Sequence, residues 1–207
     1  MTTGASLYDI LRPKLREATK AAHHRIDHHP LMAPLVRGEL TASLYGDALL
    51  ALYCFHAPSE RAFAAFLSDL DSVPPCRSEW LAADLESLGR TEIAASDIGP
   101  FWSGQPPSSP SEYIGMRYVI EGGSLGGRAI LAPLIERLPS ECKHITRFFD
   151  GQQDERDWLN FWTLADRLGP LDADETVRAA VRFFDEIEQM ADRRWQESLT
   201  TASPATN

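Results

Sequence analysis

Apolar residues return at every third or fourth position along most of this chain, the period of helices with one buried face. Leu7, Leu11, Leu15, Ala18, Ala22 and Ile26 form the first stripe. Pro13 suits the first turn of its main part, where a missing N–H costs no bond, and Pro30 and Pro34 punctuate the exit. Thr41 predicts an N-cap for a second helix running to about Leu70, with Tyr45, Leu49, Leu52 and Phe63 inward and a kink at Pro58. Pro74 and Pro75 break the chain. A shorter helix follows from about Glu79 to Leu88, ending at Gly89 as a left-handed cap. Residues 89 to 110 are the least regular stretch and read as a long crossing loop. Further helices are predicted from about Ser111 to Leu138, from about Asp154 to Leu168, and from near Asp172. The last carries Val177, Val181, Phe184, Ile187 and Met190 on one stripe. No segment alternates as a strand would. The pattern predicts an all-α fold, a single domain over residues 1–207 with 199–207 as a disordered tail.

Composition narrows the function classes. The chain has 207 residues, 43% of them hydrophobic and 24% charged, enough for a well-buried core without staples. Twenty Lys and Arg against thirty Asp and Glu give a net charge of -10, which argues against a nucleic-acid binder. Three cysteines, Cys54, Cys76 and Cys142, fall in no CxxC pair, so neither a disulfide framework nor a thiolate metal site is expected. The opening residues lack a signal-peptide pattern and no apolar run is long enough for a bilayer. A cytoplasmic protein without membrane contact is expected.

Two constellations stand out. The first is Lys14, Arg16, Lys20, His23, His24, Asp27, His28 and His29 on the first helix. Arg16 and His23 lie within roughly 20° of each other around the helix, and Asp27 is one turn beyond His23, within reach of its imidazole. A histidine held at one nitrogen by a carboxylate can ligate a metal through the other. The same residues also suit an ordinary solvated face. The pair His24 and His28 supplies too few ligands for zinc. The second constellation is Glu121-Gly122-Gly123-Ser124-Leu125-Gly126-Gly127-Arg128, within an otherwise helical stretch. Interior glycines each cost up to about 1 kcal/mol relative to alanine. They allow a helix to kink and bring its backbone against something flat or bulky. Close packing of a second helix, or a loop, would account for them equally. The spacing is wrong for nucleotide binding, and no strand precedes it. Trp158 and Trp162, like Cys54 and His56, read as packing residues.

Four segments resemble haem oxygenases: LREATKAAH (Leu15 to His23), YVIEGGSLGGRAI (Tyr118 to Ile130), LAADLESLG (Leu81 to Gly89) and FFDGQQDERDWLNFW (Phe148 to Trp162). They cover nearly the whole chain in the family's order. The likeness is to bacterial members, including those supplying biliverdin to bacteriophytochromes. The resemblance implies haem between a proximal and a kinked distal helix, with His23 as the iron ligand and Asp27 on its other nitrogen. It implies Arg16 as a propionate partner, with Lys20, Arg117 and Gly123 also in contact with haem. Gly122 and Gly126 match the distal glycines against the haem face. Three departures accompany it. Many members carry Asp where this chain has Gly123, which leaves Ser124 as a candidate organiser of distal water. A family Tyr falls on Arg117 in a gap-free alignment. Basic propionate anchors of a later helix are replaced by Trp158 and Trp162.

The implied reaction uses haem as both cofactor and substrate, opening it with O2 and electrons to biliverdin, iron and carbon monoxide. The electrons require an external donor, a ferredoxin or other reductase, docking at the Lys14, Arg16 and Lys20 patch. A bacteriophytochrome is an implied acceptor of biliverdin. The rival readings are a non-enzymatic haem-binding or haem-sensing protein on the same fold, and a relative that has lost haem for another small molecule such as a thiamine precursor.

Overall fold

The computed structural model describes residues 6–67, 76–90 and 105–201, and among these all regular structure is helical. The helices are α1 (Leu7–His28), α2 (Ala42–Phe66), α3 (Arg77–Ser87), α4 (Pro110–Arg137), α5 (Arg147–Asp150), α6 (Arg156–Leu168) and α7 (Ala173–Thr201). Short 3-10 turns cover Ala33–Leu35 and Ser140–Cys142. The caps are those the side chains dictate. Thr41 Oγ1 accepts from Leu44 N–H at 3.2 Å, and Ser109 Oγ does the same for Glu112 N–H at 3.0 Å. Asp172 Oδ1 takes the N–H groups of Asp174 and Glu175, each at 2.9 Å, satisfying donors that a helix start leaves free. Gly89, just past α3, has φ +73°, which a glycine adopts without steric cost.

The expected helices are present with shifted ends. The third starts at Arg77 rather than Glu79, and α6 starts at Arg156, because Asp154 instead accepts the Arg156 N–H at 2.9 Å. The short α5 was not marked by periodicity; four residues are too few to show one. Pro58 is buried within α2, which remains helical on both sides. Helix α7 reaches Thr201, so residues 199–201 of the expected tail are helical, and the rest of it lies outside the described residues. So do Leu70, Pro74, Pro75 and most of the long loop.

Two cores flank the middle of α4. One joins α1, α4, α6 and α7 through Leu11, Leu15, Ile114, Phe161 and Phe183. The other joins α2, α3, α5 and the end of α4 through Tyr45, Leu49, Leu85, Leu134 and Phe148. A buried ion-pair chain ties them to α4. Arg77 on α3 donates to Glu121 at 2.7 Å, Arg117 donates to the same carboxylate at 2.5 Å, and Arg117 also donates to the Tyr113 hydroxyl at 2.9 Å. Burial alone would raise the Glu121 pKa, but the Arg117 and Arg77 guanidiniums outweigh it and hold the carboxyl below its usual value. This anchor sits one residue before the glycine segment.

Candidate haem-binding cleft

Helices α1 and α4 face each other across two adjoining cavities that share His23, Val119 and Phe184. The inner one, about 200 Å³, is walled mainly by apolar side chains from α1, α2, α4, α5 and α7. The outer one, about 390 Å³, carries Arg12, Arg16, Lys20 and Tyr118 on its rim. The cleft is therefore apolar within and cationic at its mouth.

His23 stands where the two meet. Its Nδ1 lies 2.9 Å from Asp27 Oδ2, the i+4 contact the sequence predicts. A carboxylate there favours the proton on Nδ1 and leaves the Nε2 lone pair available to a ligand. Nε2 makes no hydrogen bond among the described residues. The ring of Phe184 meets the imidazole edge-on at 6.0 Å. His24 is turned elsewhere: its ring stacks on His28 at 4.0 Å, and neither lines either of these two cavities.

Opposite, the glycine segment lies within one α-helix, and none of its glycines has positive φ. What matters is the space beside them. A Cβ added at Gly122, Gly123 or Gly126 would meet nothing within 4 Å. Gly122 lines the outer cavity, and Gly123 and Gly126 line the inner one. Gly115, three turns earlier at about the helical period, behaves differently. Its Cβ would stand 2.2 Å from the Thr176 carbonyl and 2.8 Å from Ala179 Cβ, so Gly115 is the packing glycine where α4 meets α7. Helix packing therefore explains Gly115 but not Gly122, Gly123 or Gly126, which face open space in the cleft.

An imidazole with a free nitrogen, a glycine-rich helix face across from it, apolar walls and a cationic rim fit the parts of haem: iron, flat macrocycle and propionates. The family model described as Heme oxygenase matches residues 10–183. The chain belongs to the haem oxygenase family. It is 31% identical over 140 residues to a heme oxygenase of Xanthomonas campestris pv. campestris (strain 8004), covering 63% of this chain and 77% of that relative. The fold is similar to that of heme oxygenase-1 from the cyanobacterium Synechocystis sp. PCC6803, solved in complex with heme. The TM-score is 0.66 at 19% identity, over 92% of this chain and 95% of that one.

Within this haem oxygenase, the expected site residues separate into two groups. His23, Asp27, Arg16, Lys20, Gly122, Gly123 and Gly126 all line the cleft. Arg117 and Ser124 do not. Arg117 is committed to Glu121 and Tyr113 in the core, and one position further around the helix, about 100°, Tyr118 reaches the rim instead. The Ser124 hydroxyl is buried and donates to the Ile120 carbonyl at 3.3 Å, and Ser124 lines neither of the two cavities. Of the two tryptophans read as core, Trp162 is buried while Trp158 lines the outer cavity. Cys54 packs as expected, but His56 lines the inner cavity. Arg12 went unread although it precedes Arg16 by one turn on the same face; continuing that ladder upstream would have found it. Tyr118, His56 and Gln152 left no comparable signal, because their neighbours are distant in sequence.

Proposed function

We propose that this haem oxygenase binds haem in the α1–α4 cleft with His23 as iron ligand and opens it, using O2 and external electrons, to biliverdin, iron and carbon monoxide. The observation that carries this reading is the pairing of the His23–Asp27 contact with the open glycine face across the cleft. Bound haem supplies the site of O2 binding and the carbon that is oxidised. The chain's residues do the rest. Asp27 fixes the His23 tautomer. Arg12, Arg16 and Lys20 give two carboxylates a cationic rim. Gly122, Gly123 and Gly126 let the α4 backbone approach a flat group closely, and Val119, Phe184 and the inner wall exclude bulk water.

A ferredoxin or similar reductase is the proposed donor, drawn to the rim cations against the chain's net charge of -10. The motif likeness to the bacteriophytochrome-associated branch supports such a photoreceptor as biliverdin acceptor, and with it a cytoplasmic location. No described helix is long and apolar enough to cross a membrane. Adding haem to the purified chain tests the site: a Soret band saturating at one haem per chain is expected, weakened and shifted in His23→Ala. An unchanged spectrum in that variant contradicts the assignment of His23.

A further inference from the structure

Helix α1 ends on the turn that carries Asp27, and its ordinary bonds run out there. A helical carbonyl takes the N–H four residues on, or three residues on in a tightened last turn. For Asp27 those positions are Leu31, whose N–H turns to His29 Nδ1 at 3.1 Å, and Pro30, which has no N–H. His29 itself is extended (φ -62°, ψ 135°), as the residue before a proline prefers, and its N–H closes on the Ile26 carbonyl at 3.1 Å. No backbone N–H among the described residues reaches the Asp27 carbonyl.

Arg37 supplies the missing donor from ten residues on. Its Nη2 donates to the Asp27 carbonyl at 2.6 Å, and it makes no other hydrogen bond among the described residues. A cation there also suits the negative end of the helix dipole. Arg37 is exposed, so burial does not hold it in place; its segment does. Arg137, in the last turn of α4, donates from Nη2 to the carbonyls of Pro34 at 2.6 Å and Gly38 at 2.8 Å, gripping the chain on both sides of Arg37. Leu35 is buried in the second core, and Gly38, at φ +76°, lets the chain turn back directly after Arg37.

The residue so clamped is the one whose carboxylate lies on His23 Nδ1. The two side chains are 54% and 51% exposed, so packing fixes neither of them. A frayed last turn would swing the carboxylate off the imidazole.

We propose that Arg37 is a positioning residue for His23, acting through Asp27: by closing the end of α1 on the Asp27 carbonyl, it holds the Asp27 carboxylate against the imidazole. The inference rests on the haem-cleaving reading for what His23 then ligates.

The apo-chain supplies a first test that involves neither haem nor turnover. By nitrogen NMR, at a pH where the imidazole is neutral, wild-type His23 should show one tautomer, protonated at Nδ1. In Arg37→Ala the ring signals should move toward the mixture of a free imidazole, and Arg37→Lys, which still offers a donor, should recover part of the shift. Wild-type ring signals in Arg37→Ala overturn the proposal. The haem-loaded chain supplies the second test. In Arg37→Ala the Fe–His stretching frequency of the ferrous protein should fall and the haem Kd should rise by about 10-fold, the lower end of the loss expected when a ligand's orienting partner is released. In an Asp27→Ala background the same substitution should change neither, because the carboxylate it positions is gone. Equal effects in both backgrounds would show that Arg37 only stiffens the helix end, and overturn the proposal. A wild-type chain without a Soret band overturns the haem reading, and the apo-chain signals then decide the role of Arg37; a normal wild-type band with an unaltered Arg37→Ala overturns this inference alone.

Discussion

The His23 side chain is 54% exposed along the cleft, so truncating it removes little packing. His23→Ala should keep its melting temperature, within the roughly 0.5 kcal/mol usual for exposed substitutions, while biliverdin formation is lost. Wild-type turnover in that variant would sink the assignment, and His24 is no substitute because its ring is stacked on His28 away from the cavities. Asp27→Ala should be milder, costing about 10- to 100-fold in haem affinity or rate, as the loss of a residue that orients a ligand does. A haem titration reads it, and an unchanged Kd and rate would reduce Asp27 to a surface carboxylate. These residues were legible in the sequence because helix geometry fixes neighbours at i+4 and i+7 whatever surrounds them. Arg117 was misplaced for the same reason reversed: a one-residue shift turns a side chain from the rim to the core, and only the partners Glu121 and Tyr113 decide which. His56 was illegible because the cavity it lines is assembled from α1, α2, α4, α5 and α7.

Along α4 the glycines differ in what they serve. Gly126→Ala places its Cβ in open space, so the apo-protein should gain up to about 1 kcal/mol from helix propensity. Biliverdin formation should nevertheless fall, since the methyl enters the face proposed for haem. Gly115→Ala forces a Cβ onto the Thr176 carbonyl, and the overpacking should cost about 1–3 kcal/mol with or without haem. Melting both apo variants and assaying biliverdin from the same preparations separates the two roles. A destabilised Gly126→Ala that turns over normally would make Gly126 another packing glycine. The helices were readable because their stripes are long and capped by Thr41, Ser109 and Asp172. The division of labour among the glycines was not, because it depends on what stands opposite each one: α7 across from Gly115, an open cleft across from Gly122 and Gly126.

For the whole molecule, the neutral buried His56 sets a pH dependence. Its imidazole titrates near 6.5 when unfolded and is held down to about 3 when folded, by burial and then by Arg77. Between those values the unfolded chain binds the extra proton. Its contribution to stability is therefore complete above about pH 6.5 and declines on acidification by about 1.4 kcal/mol per pH unit. Denaturant unfolding of the apo-protein at pH 7 and pH 5 should show a smaller loss in His56→Leu than in wild type; equal losses would mean that His56 is solvated or paired. The account as a whole turns on whether the cleft opens the porphyrin ring or merely holds it. Haem-loaded protein supplied with a reductant and O2 in a single turnover decides the matter. The account predicts loss of the Soret band with biliverdin absorbance rising in its place and carbon monoxide released. A Soret band that persists through repeated reduction in O2, without biliverdin, would contradict it and leave a haem-binding protein on the same fold.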